Sequence, residues 1–280
     1  MNRLGAVPGV LVASAAAILA GTVAGLAMLS GEAPSTRSAE LGVSSASIVE
    51  AALYVRQSDN VQYDGHFTFA RIRFTPAGRG RCWGGGNFGE PSWAHDYPRA
   101  ERNLMRILSE TTYLEPYLGG GNIVWTRDEE LFRHPFAYLS EPGCWTMEED
   151  EVLGLRAFFE KGGFLIADDF RGRDWNNFEE QMRRVLPGAR FVELDASHPV
   201  FHSFFDIDDR VLRAGGGWSW PQYYGVFENN DPSARLMVVA NYNNDIGDYW
   251  EWSDSGYLPI DLTNDAYKLG VNYIVYAMTH

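Results

Sequence analysis

Apolar and polar residues alternate along the chain at two periods, which predict strands and helices in turn. The segment Phe67–Phe74 alternates apolar and polar side chains with a period of two, as expected for a strand with one buried face. A glycine-rich loop follows at residues 78–89. After Pro98, apolar residues recur at helical spacing as far as Thr111, so a helix is predicted there.

The stretch from Thr146 to Phe170 gives the clearest pattern. Thr146 and Glu149, three residues apart, predict a capping box at the start of a helix, and the glycines after Lys161 predict its end. The apolar run Phe164–Ala167 then fits a buried parallel strand. A strand, a helix and a strand in this order form a βαβ unit.

The rest of the soluble part continues this alternation, and only residues 214–257 break it. Glycines, prolines and many aromatic residues there predict an elaborated loop region. The other predicted elements are strands at Ile123–Trp125, Phe136–Leu139, Phe191–Leu194 and Leu236–Ala240, a helix at Asp174–Leu186 and a C-terminal helix from about Thr263. The predicted fold is α/β, with a doubly wound, mostly parallel sheet and helices on both faces.

The N-terminal segment is apolar over a length that fits a lipid bilayer. Residues 4–31 carry no charge, and a helix over residues 9–29 would be about 32 Å long, against about 30 Å for a bilayer core. The apolar core of a signal peptide has only about 7–15 residues, so an uncleaved anchor is favoured over a cleaved signal. The predicted organisation is a transmembrane anchor at 1–31, a linker at 32–60 and an α/β domain at 61–280.

Charge around the predicted span sets its orientation. Arg3 precedes the span, so the positive-inside rule places the N-terminus in the cytoplasm. The chain is therefore expected to be a single-pass protein of the inner membrane, with its domain in the periplasm. Gly21 and Gly25 form a GxxxG pair that would let the span pack against another membrane protein. The alternative is an alanine-rich span without a packing role.

Composition narrows the partners and the chemistry. The 37 acidic and 23 basic side chains give a net charge of -14, which repels phosphate backbones and argues against nucleic acid as a partner. The two cysteines, Cys82 and Cys144, form no CxxC motif, so no zinc or redox motif is indicated. Outside the cytoplasm they could form one disulfide. No cofactor is expected.

Several stretches, in their order and spacing along the chain, resemble a known family. They are FTFARIRF at 67–74, Asp96-Tyr97-Pro98, GGFLIADDF at 162–170, HPVFHSFFDI at 198–207, Asn243-Asn244-Asp245 and DAYKLGVNYIVYAMTH at 265–280. With these, the chain resembles a bacterial domain-of-unknown-function family with a class I glutamine-amidotransferase-like (flavodoxin-like) fold. That family is related to domains fused to aerotolerance-operon membrane proteins. The resemblance implies fold and domain extent, and it carries no established activity.

Four residues are candidates for a metal or catalytic site. Asp168 and Asp169 follow the strand Phe164–Ala167, and the carboxyl ends of strands line the ligand crevice of open α/β sheets. Two carboxylates there could bind a cation or act as a base. His198 and His202, four residues apart, could complete a divalent-metal site. The alternatives are a helix cap or arginine partner for the aspartates and a backbone partner for His202.

Other residues fit a catalytic or a binding role less completely. No strand–nucleophile–helix elbow surrounds Cys144, so a working catalytic triad is not predicted. His95 and Asp96 form a base-like pair in sequence, although sequence neighbours need not face each other. The tryptophans Trp218, Trp220, Trp250 and Trp252 belong to an aromatic run that could anchor a protein interface or stack on sugars. The alternative is that these aromatics pack the long loops onto the sheet.

The leading prediction is a membrane-anchored, extracytoplasmic and non-catalytic interaction module, an accessory or assembly subunit of a larger membrane complex. It rests on the missing catalytic set, the packing face of the anchor and the aromatic-rich loops. The first alternative is a cell-envelope hydrolase or a metal- or ligand-binding enzyme that uses the two aspartates and two histidines. The second is a glycan-binding domain. Whether the chain is an enzyme stays open, with the sequence leaning against it.

Overall fold

The computed structural model describes residues 60–77, 91–214 and 219–280, which all belong to one compact unit of the chain, Val43–His280. In those three ranges, no helix is both long enough and apolar enough to cross a membrane. The predicted span at 9–29 lies outside the described residues, as do four predicted functional residues: Gly21, Gly25, Cys82 and Trp218. These predictions therefore stay predictions.

Strands and helices alternate along the described residues. The strands are β1 (Phe69–Arg73), β2 (Thr75–Pro76), β3 (Gly121–Trp125), β4 (Phe136–Ser140), β5 (Trp145–Thr146), β6 (Phe164–Phe170), β7 (Val192–Glu193), β8 (Gln222–Phe227) and β9 (Leu236–Tyr242). The α-helices are α1 (Arg99–Thr111), α2 (Glu149–Glu160), α3 (Asp174–Val185), α4 (Asp209–Leu212), α5 (Ile246–Glu251) and α6 (Ile260–Thr279). Most of the predicted elements are present, with shifted ends.

Seven strands form one mostly parallel sheet in the order β3-β1-β4-β6-β9-β8-β7. The first five are parallel to one another, and β8 is antiparallel to both of its neighbours. The chain moves from β1 outward to β3 and then returns past β1 to β4, so the strand order reverses between β1 and β4. The predicted α/β fold with a mostly parallel sheet is thus confirmed.

Side chains alternate across the sheet, so each face carries its own apolar core. In β1, Ala70 and Ile72 belong to the core that α2 and α3 cover. Phe69 points to the opposite face and belongs to the core that α1, α5 and α6 cover. Helices therefore lie on both faces, as the βαβ alternation predicts.

Two local predictions differ from the structure. The second helix begins at Glu149, where the Glu151 carboxylate accepts a hydrogen bond from the backbone N–H of Glu148, so the predicted cap at Thr146 is wrong. Thr146 instead lies in β5, paired with β2. Residues 214–257 hold β8, all of β9 and α5, so this region is not only a loop.

Candidate functional site

The carboxyl ends of the parallel strands bring together side chains that are far apart in sequence. His95 and Asp96 end the long connection that leaves β1, Glu141 follows β4, and Asp169 lies near the end of β6. Ligand crevices of open α/β sheets form at this edge, at the point where strand order reverses. Here that point lies between β1 and β4, beside these four residues.

Asp168 has a structural role at this edge, where it joins neighbouring strands and the start of α5. Its side chain is fully buried and accepts hydrogen bonds from the Tyr138 hydroxyl at 2.8 Å and the Asn241 amide at 3.0 Å. It also accepts from the backbone N–H groups of Ile246 and Gly247, at 3.0 and 3.1 Å. Both oxygens are thus occupied in tying the start of α5 to the sheet, which favours the structural role that the sequence left open for this residue.

Asp169 faces the other way and pairs with His95. Its Oδ2 lies 2.9 Å from Nδ1 of His95, and its Oδ1 accepts a hydrogen bond from Arg171 at 3.3 Å. The sequence alternative of an arginine partner is therefore present at Arg171. The same imidazole nitrogen also lies 3.6 Å from Oδ1 of Asp96 and 3.9 Å from Oε1 of Glu141. Three carboxylates thus surround one ring nitrogen.

The three carboxylates around His95 are held on left-handed backbone. The φ angles are 65° at Asp96, 47° at Glu141 and 55° at Asp169. Residues other than glycine seldom adopt this conformation, and such strain concentrates at functional sites. Oε2 of Glu141 is buried without a hydrogen-bond partner, and the buried Asp96 carboxyl faces another acid, Glu251, with which it forms a hydrogen bond. The Asp96 carboxyl group lies against the start of α5, where residue 247 is glycine. A Cβ atom at position 247 would lie only 2.4 Å from Asp96 Oδ2.

Burial and mutual repulsion shift the ionisation of these groups. The hydrogen bond to Asp169, aided by the nearby charges, raises the pKa of His95 to about 10 against the effect of burial. Burial raises the pKa of Glu141 to about 8 and that of Asp96 well above its ordinary value. Burial also disfavours the Asp169 carboxylate, but the hydrogen bond and charge of His95 outweigh it and lower the pKa of Asp169. At neutral pH the centre therefore holds a protonated imidazole against the Asp169 carboxylate, with Glu141 mostly neutral, and burial favours the neutral form of Asp96.

A buried arginine fixes the loop that carries His95. Arg71, in β1, pairs with Glu101 of α1, and both side chains are fully buried. Its Nη1 donates hydrogen bonds to the backbone carbonyls of Trp93 at 3.1 Å and of His95 at 2.7 Å. The loop is thus attached to the sheet directly in front of the histidine.

A cleft of about 450 Å³ adjoins this group of side chains. We call it the acidic cleft, because Asp245 and Asp248 line it together with Arg171, the one cationic side chain among its described lining residues. Burial, with the charge of Asp169 next, raises the pKa of Asp245 well above its ordinary value. The remaining lining residues are Gly172, Ser219, Tyr242, Asn243, Asn244, Tyr249 and Leu258. The wall is thus rich in hydrogen-bonding groups and also presents two tyrosines.

The two predicted histidines lie away from this centre. His198 Nδ1 accepts a hydrogen bond from the Val200 N–H, and its ring contacts Phe227 and Tyr276. His202 bonds to Asp206 and to the carbonyl of Ala196. Within the described ranges, the metal-type groups of His, Asp and Glu include neither histidine. The predicted set of Asp168, Asp169, His198 and His202 is therefore not brought together.

The predicted binding tryptophans are divided between surface and core. Trp220 is 74% exposed and Trp252 is 37% exposed, whereas Trp250 is only 1% exposed. Trp250 packs against Tyr138, and its Nε1 donates to the carbonyl of Ala266. This residue fills the core, as the packing alternative proposed, and cannot contact a partner.

Cysteine chemistry does not enter the described site. Cys144 is 2% exposed and is not a free thiol. Because Cys82 lies outside the described residues, the pairing of the two stays a prediction. Among residues 60–77, 91–214 and 219–280, no serine or cysteine is hydrogen-bonded to a histidine ring.

Sequence reasoning found Asp169 but missed its partners. The sequence pattern does not single out Glu141, two residues beyond the predicted strand Phe136–Leu139, and it indicates His95 only as a pair with Asp96. The carboxyl-end rule that selected Asp169 also selects Glu141, since Phe136–Leu139 was a strand candidate. No sequence signal places His95 against a residue 74 positions away.

Fold and site together define an α/β domain with an acid-lined cleft at the carboxyl edge of a mostly parallel sheet. The chain belongs to the family described as Domain of unknown function (DUF4159), whose model matches residues 69–278. The predicted resemblance to a domain-of-unknown-function family is thus confirmed at that level. No curated protein matches the chain.

Proposed function

We propose that the domain is a ligand-binding module that takes a polar, polyhydroxylated ligand, the class of cell-envelope glycans, in the acidic cleft. The observation that carries the proposal is the composition of the cleft wall. Asp248, Asn243 and Arg171 offer acceptors and donors, and Tyr242 and Tyr249 add aromatic surface. A sugar ring needs both, because its hydroxyls form hydrogen bonds while its C–H face packs on aromatic rings.

Charge and nearby aromatics support the same ligand class. The net charge of -14 and the two cleft aspartates disfavour an anionic ligand. Trp220 follows the cleft residue Ser219, and Tyr257 precedes the cleft residue Leu258. Both aromatic side chains are more than 70% exposed, at 74% and 78%. A chain of sugars leaving the cleft could stack on them.

A binding titration tests this proposal. The full-length chain in detergent, treated with EDTA, is titrated with an N-acetylglucosamine tetramer and followed by calorimetry. We expect saturable binding that weakens at least tenfold in Asp248→Asn and Trp220→Ala. Tyr113→Ala is the matched control, because Tyr113 is a fully exposed aromatic residue just beyond the end of α1. Binding that never saturates up to about 10 mM, or that survives both cleft variants, contradicts the proposal.

A role as an accessory subunit of a membrane complex is the second candidate. The exposed rings of Trp220 and Tyr257 favour it, since large aromatic side chains often anchor protein interfaces. Size analysis of detergent-solubilised native membranes tests it. A complex larger than the monomer should shrink when both residues are replaced by alanine. A chain that runs as a lone monomer before substitution contradicts it.

The setting of the module remains part of the proposal. Residues 9–29 have the length and apolarity of an anchor, so the domain would stand in the periplasm on the linker at 32–60. Protease added to intact spheroplasts should then digest the domain, and full protection would contradict this placement. The order of the five parallel strands, second-first-third-fourth-fifth, supports a flavodoxin-like and glutamine-amidotransferase-like relationship.

A further inference from the structure

We infer that His95, Glu141 and Asp169 form a binding site for a divalent metal ion of the Mn²⁺ or Zn²⁺ class. One nitrogen or oxygen of each residue lies within 4.8 Å of one such atom of each of the others. The three residues come from three separate connections, after β1, after β4 and at the end of β6. The site lies beside the acidic cleft, where the strand order reverses.

The distances around the imidazole match those between ligands of one ion. Nδ1 of His95 lies 2.9 Å from Oδ2 of Asp169 and 3.9 Å from Oε1 of Glu141. Ligand atoms at about 2.1 Å from an ion in octahedral geometry are about 3.0 Å apart when adjacent and about 4.2 Å apart when opposite. Only small movements are therefore needed for the three atoms to share one ion.

A buried oxygen without a hydrogen-bond partner points independently to a cation site. The Glu141 side chain is 9% exposed, and its Oε2 has no hydrogen-bond partner. The Asp96 side chain is 0% exposed and forms a hydrogen bond with the Glu251 carboxyl, and its Oδ1 lies only 3.6 Å from Nδ1 of His95. A divalent ion would replace the protons that His95 and Glu141 carry at neutral pH and would pair with the buried carboxylates. Asp96 would then add negative charge close to the ion.

Among the described residues, no arginine is paired with Glu141, although the charge of Arg71 does act on Asp96. Arg71 is held by Glu101 and by the carbonyls of Trp93 and His95. Arg171 contacts Asp169 through Oδ1, at 3.3 Å, which leaves Oδ2 to face His95. The ligand set then selects the metal, because one imidazole nitrogen with carboxylate oxygens suits borderline divalent ions such as Mn²⁺ and Zn²⁺. The His95 side chain is 25% exposed and gives the ion a route from solvent.

This inference goes beyond the proposed ligand and does not depend on it, because metal binding is measured with no sugar present. The full-length chain in detergent is stripped with EDTA and equilibrated by dialysis against Mn²⁺ or Zn²⁺, and bound metal is counted by mass spectrometry. We expect one ion per chain and a rise in Tm. Glu141→Gln and Asp169→Asn should each weaken binding at least a hundredfold, whereas Asp96→Asn should weaken it less.

His202→Asn is the matched control, because His202 forms a comparable pair with Asp206 on the surface, 3.2 Å apart. This variant should bind metal as the wild type does. Circular dichroism of each variant confirms folding, and Glu141→Gln keeps the size of the side chain. The inference is overturned if the wild type binds no stoichiometric ion, or if folded Glu141→Gln and Asp169→Asn bind as tightly as the wild type. Sugar binding in EDTA is a separate result, so either proposal can fail alone.

Discussion

Replacing Glu141 by glutamine should make the metal-free protein less sensitive to high pH. Glu141 is buried among other acids, and burial raises its pKa from 4.5 to about 8. A carboxyl group with a raised pKa stabilises the folded state fully below its unfolded pKa. That stability is lost as the pH rises through the folded value. Glutamine resembles the neutral acid in shape and cannot ionise, so it keeps the folded state stable at high pH.

The size of the effect follows from the shift. One pKa unit corresponds to about 1.4 kcal/mol, so Glu141 should cost the folded state on the order of 5 kcal/mol between pH 4.5 and pH 8. The side chain is only 9% exposed, so solvent screens little of this cost. His95 acts over a higher range, because its pKa is raised from 6.5 to about 10. Its stabilising effect is complete below pH 6.5 and disappears towards pH 10.

Urea unfolding of the full-length chain in detergent and EDTA, followed by far-UV circular dichroism from pH 5 to pH 9, measures the effect. The free energy of unfolding of the wild type should fall with pH. That of Glu141→Gln should fall less, so that the variant is the more stable protein at pH 8 and above. Glu110→Gln is the control, because Glu110 is exposed at the end of α1, and it should follow the wild type.

Two outcomes would refute this reasoning. One is a wild type whose free energy of unfolding rises between pH 5 and pH 8, since the raised carboxyl pKa values require a fall. The other is a pH dependence of Glu141→Gln that is the same as that of the wild type. Either would mean that Glu141 is not buried as a neutral acid beside His95.

Two further substitutions test the framework that holds the site. Asp168→Asn should destabilise the protein by about 2–4 kcal/mol in urea unfolding, because the amide cannot accept all four hydrogen bonds that the carboxylate accepts. A loss of stability below about 0.5 kcal/mol would contradict the structural role of Asp168. Gly247→Ala should lower the free energy of unfolding by about 1–3 kcal/mol in the same measurement, because the new Cβ would lie 2.4 Å from Asp96 Oδ2 and 2.7 Å from the Tyr138 hydroxyl. An unchanged urea midpoint would contradict this close packing.

The fold was predictable where local patterns and burial agree. Phe164–Ala167 is an apolar run between a glycine stop and two aspartates, and it forms the first four residues of β6. The antiparallel strand β8 was missed, because its sequence QYYGVF mixes polar, aromatic and glycine residues in a glycine-rich region. Pairing with β9 on one side and β7 on the other gives the backbone of that segment its partners, and such pairing is not visible in a sequence pattern.

The site was predictable only in part, for a related reason. Asp169 follows a strand and so could be placed at the carboxyl edge. The position of its partner His95 is set by the loop that Arg71 binds through the carbonyls of Trp93 and His95. No local sequence pattern shows that contact. For Trp250 the sequence predicts a binding role, because an aromatic residue in a predicted loop is expected to be exposed. In the structure it lies on the inner face of α5, at 1% exposure.

Anomalous diffraction tests the central claim most directly. The EDTA-stripped protein is crystallised in the presence of Mn²⁺, and data are measured near the manganese absorption edge. The account predicts one strong anomalous peak within about 2.2 Å of His95 Nδ1 and of carboxylate oxygens from Glu141 and Asp169. A map with no peak at that position, or with its main peak at the surface pair His202 and Asp206, would contradict it.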